Sequence, residues 1–440
     1  REGSMQSDSD QNLTPEEAQQ LILDHIPSLG SERVDLLEAP GRVLAESVSA
    51  RADTPPWDNS AMDGYAVRTR DIADARMEAP ISLWVAGEIR AGDRAGRVLA
   101  QGEAVRIMTG APVPPGADAV VRVEDTDAEE DPGTVRIFSA PQPGGDIRPG
   151  GQDMREGEKL LSRGTTIGPG QIGLLAASGA PAVQVHERPR VAVLSNGDEI
   201  AAPHEFHRVL KGKAIPETNS PTLVAGVLGA GGLPRALGIA RDTSESILEK
   251  LAMARSMGAD VLVTSGGASM GEYDLFKRVL DQEDFRQDFW RVKMRPGTPF
   301  SFGVLPAPGD GGRPMFVFGL PGNPASSFVT FQVFCRPFLL RLAGHGRIHR
   351  PVVLARAREN FSSPEPLTHF FRVRLSGDPA APEAEMTGPQ TSGLVRGQGL
   401  AHGLAVVPEG VEEVKRGHTL RVMVLDDFGH GGDEAGYLPA

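Results

Sequence analysis

Two textures of apolar residues divide the chain. From Pro27 to about Pro189 they come in short pieces punctuated by Gly and Pro, which predicts twisted β-sheet with long irregular connections. Ahead of this stretch, Thr14-Pro15-Glu16-Glu17 reads as a capped helix start with Ala18, Leu21, Ile22 and Ile26 on one face. From Arg190 strand and helix alternate. Val191–Leu194, Ala236–Ile239, Val261–Val263 and Met315–Leu320 are short buried-strand runs. Between them lie helical patterns: one starts at Asn219-Ser220-Pro221 and carries Leu223, Val224, Val227 and Leu228. A second is capped by Asp242 or Thr243 and carries Ile247, Leu248, Leu251, Ala254 and Met257. A third resumes at Leu275 to Leu280, and a fourth follows the Asn323 cap and runs to Leu342, with Pro337 ending or kinking it.

This alternation predicts a doubly wound α/β domain with a largely parallel sheet over 189–345. The expected fold is multi-domain: a disordered tail over 1–13, an N-terminal helix with two interleaved β-rich domains over 14–188, the α/β domain, a further C-terminal domain over 346–430, and a tail over 431–440. The four residues before Met5 read as an appended expression remnant. In doubly wound sheets ligands bind outside the carboxyl ends of the strands. Three polar loops fall there: Ser195 to Glu199, Ser265 to Asp274, and Pro321 to Pro324. The middle loop, Thr264-Ser265-Gly266-Gly267-Ala268-Ser269 running to Asp274, has the glycine and hydroxyl content of an anion cradle.

Composition narrows the guest. The 440 residues exceed one ordinary core. A formal charge of −13, from 45 Lys plus Arg against 58 Asp plus Glu, argues against nucleic acid or anionic membrane as partners. Any anionic ligand must therefore be held by local basic groups. The one cysteine, Cys335, forbids an internal disulfide and suits a cytoplasmic protein. No apolar run reaches the roughly 18–20 residues of a membrane span.

Three loops of the β-rich half concentrate acids, hydroxyls and an arginine among few packing residues. They are Pro55-Pro56-Trp57-Asp58-Asn59-Ser60-Ala61-Met62-Asp63-Gly64-Tyr65-Ala66-Val67, Arg106 to Pro112, and Asp146 to Asp153. The first of these, with Met108-Thr109-Gly110-Ala111-Pro112, Gly197-Asp198-Glu199, Thr264 to Asp274, Arg295-Pro296-Gly297-Thr298-Pro299-Phe300 and Gly319 to Pro324, closely resembles the molybdopterin molybdenumtransferases, relatives of the C-terminal part of gephyrin. The resemblance runs from about Thr14 to Pro408, and Phe371 to Leu375 and Ser392 to Glu409 look like that family's small C-terminal barrel.

The resemblance implies an enzyme that inserts molybdate into adenylated molybdopterin with Mg²⁺-dependent release of AMP. It places the catalytic residues at Asp63, Glu199, Asp274, Arg291 and Arg295, with Asp274 on the metal and Glu199 serving the pterin or the hydrolysis. The ligand-binding positions it implies are Thr109, Arg148, Asp153, Asp242, Ser265, Gly266, Gly267, Ser269, Thr298, Pro321 and Pro324. It also implies a homodimer with a composite active site, and partners in the upstream adenylyltransferase and in molybdoenzyme assembly factors. Arg291 and Arg295 stand where the family usually carries lysines, and Thr298 where a third is common; a hydroxyl there donates one hydrogen bond and brings no charge. A non-catalytic pterin-binding or assembly scaffold of gephyrin-like type is the alternative.

Overall fold

The structure, a computed structural model, describes residues 13–425 apart from Ser28, Glu129, Pro132, 267–269, 308–311 and Glu365; the side chains of 270–274 are also outside the description. The described chain forms two compact units. One comprises residues 33–40 and 44–184; the other takes in the chain up to Glu32, Gly41–Val43, and everything from Val185 on.

Helix α1, Pro15–Asp24, belongs to the second unit and begins with the capping box read from the sequence: the Glu17 amide donates to the Thr14 hydroxyl, and Glu17 accepts from the Thr14 amide. Its buried residues are Pro15, Ala18 and Ile22, whereas Leu21 faces outward.

In the first unit, β1 (Asn59–Ser60), β2 (Gly64–Val67), β3 (Ile81–Ile89), β4 (Glu103–Ile107), β5 (Ala119–Arg122), β6 (Thr134–Ile137) and β7 (Ile147–Arg148) carry the architecture. Strands pair in the order β5-β2-β4-β3-β6, and β1 pairs separately with β7. One helix, α2 (Pro169–Ala177), lies in a region whose Gly and Pro content reads as irregular β structure. Pro169 occupies its first turn, where a missing N–H costs nothing, and the Gly168 amide donates to Gln171 Oε1 at 3.0 Å.

The second unit contains the α/β layer: β8 (Arg190–Asn196), α3 (Asn219–Gly229), β9 (Leu233–Ala240), α4 (Ser244–Ser256), β10 (Val261–Ser265), α5 (Met270–Asp281), β11 (Arg286–Trp290), β12 (Ser301–Leu305), β13 (Met315–Leu320), α6 (Pro324–Thr330) and α7 (Arg336–Leu342). Strand order is β9-β8-β10-β13-β12-β11, parallel through β13 and antiparallel thereafter. Both faces are apolar because both are covered. Val191, Val193, Val261 and Val263 pack with Leu223 and Val227 of α3, while Ala192, Leu194 and Leu262 pack with Ile247 and Leu251 of α4 and Phe276 and Val279 of α5. Leu228, expected on the inward face of α3, is exposed. Between α6 and α7 the helix passes through a π-helical turn, Phe331–Cys335, which precedes Pro337 in the first turn of α7.

The chain then closes a five-stranded barrel from β14 (Val352–Ala357), β15 (Thr368–Ser376), β16 (Glu383–Met386), β17 (Gly403–Val407) and β18 (Thr419–Val424), in the order β15-β16-β14-β18-β17 with β17 returning to β15. No helix among the described residues is long and apolar enough to cross a membrane.

The centre of the α/β layer is a phenylalanine cluster. Phe302 is fully buried, with ring centroids 4.9 Å from Phe318 and 6.1 Å from Phe338. Phe302→Ala should destabilise the protein by about 3–5 kcal/mol through lost transfer and the cavity left behind, read as a lower urea midpoint; an unchanged midpoint would show that the neighbouring rings collapse into the space.

Candidate functional site

Parallel pairing fixes where the polar loops of the α/β layer meet. β8 and β10 run in register from Val191 opposite Val261 to Ser195 opposite Ser265, and β10 continues in register with β13 to Ser265 opposite Leu320. All three strands therefore end together. At that edge Gly266 adopts φ +89°, and a Cβ there would lie 2.5 Å from the Asn196 carbonyl oxygen, so the backbone of the loop rests directly on the end of β8. A Cβ on Gly322 would in turn stand 3.4 Å from Gly266 Cα. Asn219 Nδ2 donates to the Gly322 carbonyl at 2.7 Å, tying the start of α3 to the loop between Pro321 and Pro324.

Around this edge the expected residues take different positions. Glu199 is exposed and its carboxylate curls back over Gly197, where a Cβ would meet Oε2 at 2.6 Å. Asp242 Oδ2 accepts from the Asp198 amide at 3.3 Å, which joins the β8 and β9 loops; the helix cap is supplied by Thr243, whose hydroxyl accepts from the Ser246 amide. The Ser265 side chain is buried among other side chains. Pro324 opens α6 behind Asn323, although Asn323 makes no side-chain cap bond. Gly267 and Ser269, and the side chain of Asp274, lie outside the described residues. Among the described residues no three acids, histidines or cysteines converge as a metal site.

The basic segment is a tight hairpin-like loop. The Arg291 amide donates to Phe300 O and the Val292 amide to Thr298 O, both at 3.0 Å. Arg291 holds φ 118°, an outlier for a bulky residue, and its guanidinium lies over the Trp290 ring at 4.4 Å from the centroid. Arg295 is exposed, in a strand pair that joins Met294–Arg295 to Thr368–His369. Thr298 does not hold its hydroxyl ready for a ligand: Oγ1 donates to the Met294 carbonyl at 2.6 Å.

Sequence reasoning missed Arg372, which reads there only as a barrel-strand residue. It is fully buried; Nη2 donates to the Pro389 and Thr391 carbonyls at 3.2 and 3.3 Å, while Nε and Nη1 find no protein acceptor. Burial pushes its pKa down from the ordinary arginine value. The neighbouring Ser392 carbonyl accepts from the Ala325 amide at 3.0 Å, which attaches this corner of the barrel to the start of α6. An arginine flanked by β-branched and aromatic residues in alternation is the only signal the sequence offers for it.

In the other unit the three unusual loops come together. β1 pairs antiparallel with β7, Asn59 opposite Arg148. The Gly110 amide donates to Ser60 O at 2.8 Å, and the Ser60 amide to Ala111 O at 3.0 Å. The Gly150 amide donates to Asp58 Oδ1 at 2.8 Å. Asp63 Oδ1 accepts from the Thr109 amide at 2.7 Å and from the Thr109 hydroxyl at 2.8 Å. Those two bonds, the amide first, hold the Asp63 carboxyl below its usual range, with Arg106 adding to the effect. Arg148 and Asp153 are exposed.

Three family models match in succession: the MoeA N-terminal region (domain I and II) over 13–179, a probable molybdopterin binding domain over 192–341, and the MoeA C-terminal region (domain IV) over 354–425. A molybdopterin molybdenumtransferase of a Nostoc strain is 35% identical over 411 residues, covering 92% of each chain. Molybdopterin molybdenumtransferase 2 of Mycobacterium tuberculosis is 37% identical over 418 residues, which is 93% of this chain and 99% of the relative. Among solved structures, the molybdopterin biosynthesis MoeA protein of Pyrococcus horikoshii superposes with a TM-score of 0.80 at 32% identity, over 94% of this chain and 99% of that one.

The Asp63–Thr109 pair makes a pH prediction. Because the folded pKa is depressed, the stabilisation is fully present above the unfolded value of about 4 and is lost as pH falls through the lower folded pKa. Thr109→Val removes the hydroxyl donor and keeps the amide, so Asp63 should titrate part-way back toward the ordinary range by carboxylate ¹³C NMR. An unchanged titration would mean that the hydroxyl contributes nothing.

Proposed function

Since the chain belongs to the molybdopterin molybdenumtransferase family, transferases of molybdenum cofactor biosynthesis, we propose that it inserts molybdenum into adenylated molybdopterin and releases AMP in a Mg²⁺-dependent step. The observation that carries this reading is the meeting of the β8, β10 and β13 ends at one strand edge, where the backbone of Gly266 packs against Asn196 and Gly322.

Each group then has work suited to its chemistry. The Gly266 loop offers backbone donors to the pyrophosphate link. Glu199, exposed at the edge, either accepts from the pterin ring or takes the proton of the water that cleaves the phosphoanhydride, leaving AMP with the phosphate oxygen. Arg291 and Arg295 face molybdate or phosphate with forked donors. With the Thr298 hydroxyl committed to Met294, that position supplies the oxyanion with neither charge nor donor.

Asp274 would hold Mg²⁺, a hard cation suited to carboxylate oxygen, with water and substrate phosphates completing the shell, as is common for this ion. Bound there, Mg²⁺ would neutralise charge developing on the leaving phosphate. Asp63, Thr109, Arg148 and Asp153 join the site in a homodimer, where the N-terminal loops of one subunit approach the α/β layer of the other.

The loss of the Thr298 donor favours one second reading, a pterin-binding scaffold without turnover. Purified protein given adenylated molybdopterin, molybdate and Mg²⁺ should release AMP and yield cofactor that activates a molybdoenzyme apoprotein; binding without AMP release would establish the scaffold instead. Asp274→Asn should lower AMP release by about 10²–10³-fold. Thr298→Lys should tighten molybdate roughly tenfold by adding a charge at a partly exposed site. Mixing inactive Asp63→Ala and Asp274→Ala proteins should restore activity by forming hybrid dimers, and no recovery would refute the shared site.

A further inference from the structure

The reaction proposed above gives no role to Glu217, a buried acid. Glu217, 8% exposed, stands two residues before the first residue of α3. It ends a chain of side chains beneath the strand edge. Ser195 Oγ donates to Glu217 Oε1 at 3.0 Å, and the Ser220 amide donates to the same oxygen at 2.7 Å. Ser195 Oγ also lies 2.8 Å from Ser220 Oγ and 3.2 Å from Ser265 Oγ.

Counting hydrogens orders this network. A hydroxyl has one hydrogen to give and two lone pairs to receive. The single hydrogen of Ser195 goes to Glu217, so its contacts to Ser220 and Ser265 are both acceptances. The hydroxyl of Ser265 is thus directed inward, and with Ser195 and Ser265 each only 1% exposed, neither side chain reaches a ligand. What Ser265 brings to the site is its backbone, held in place from below. The same short segment acts on the third loop as well, because Asn219, two residues after Glu217, holds the Gly322 carbonyl.

We propose that Glu217 is a positioning residue of the site: as the terminal acceptor of the Ser265–Ser195–Glu217 chain it fixes the β8 and β10 ends and the start of α3 against one another, and so sets the backbone of the ligand-binding loops. The identity of the ligand rests on the functional reading above; the clamp itself does not.

The test combines a ligand-free and a kinetic readout. Glu217→Gln keeps an oxygen able to accept both bonds, whereas Glu217→Leu removes the acceptor at similar volume. In Glu217→Leu the Ser265 and Gly266 amides should exchange hydrogen at least tenfold faster than in the wild type, and KM for the adenylate should rise about tenfold while kcat stays within about threefold, since a lost buried acceptor typically weakens an interaction by that order. Glu217→Gln should remain within about threefold of the wild type in both. Val193→Ala, which loosens the same sheet without touching the chain of hydroxyls, should lower the melting temperature and leave the Gly266 amide unchanged. Wild-type exchange rates in Glu217→Leu would overturn the proposal, as would a Gln variant as impaired as the Leu variant. Should the Leu variant fail to fold, Ser195→Ala takes its place, with faster Gly266 exchange expected and unaltered exchange decisive against the clamp. If the wild type turns over no adenylate, the functional reading fails, and the exchange data still decide the role of Glu217.

Discussion

Parallel pairing between β8 and β10 is the constraint from which the site follows. With Val191 opposite Val261, the register delivers Ser195 opposite Ser265 with no residue to spare, so both strands reach a serine at the same height. A one-residue slip of either strand would turn its serine to the opposite face, into the layer where Leu194 and Leu262 pack with α4 and α5. The apolar pattern that buries the sheet thereby also aligns the polar ends. Core packing and site geometry are two readings of one register.

A chain with a formal charge of −13 that handles anions must concentrate its cations. It does so by different means. Arg291 is held by an aromatic face and a strained backbone, Arg295 by a strand pair with the barrel, and Arg372 by burial beneath the Thr391 turn. Burial desolvates Arg372, and its two carbonyl partners offset part of that cost.

Much of the fold was legible because periodicity and caps act locally. The capping box at Thr14 and the alternation from Arg190 onward appear where the sequence puts them, and a closed C-terminal barrel is present as the family resemblance implies. Less legible were features set by contacts between distant segments. Helix α2 was hidden by its Gly and Pro residues, which there open a helix rather than break one. Leu228 reads as an inward residue by spacing, yet α3 turns it to solvent. At the site, residue types announced the loops but not their internal wiring. Thr298 looked available as a donor until its hydroxyl was found closing its own turn on Met294. Ser265 looked like a ligand contact, and Glu217 like nothing in particular; the hydrogen bonds that join them span tens of residues and leave no periodic trace.

The stacking of Arg291 on Trp290 has a thermodynamic consequence. A free arginine side chain has about 2 kcal/mol of rotamer entropy to lose when it clasps an anion. Here the guanidinium lies against an indole and its backbone is pinned by Phe300. That ordering belongs to folding and not to association. On the proposed reading, an oxyanion arriving at Arg291 meets a cation already ordered, so its affinity would be diminished less by immobilisation than at a freely rotating surface lysine, and more of the electrostatic attraction would survive as binding.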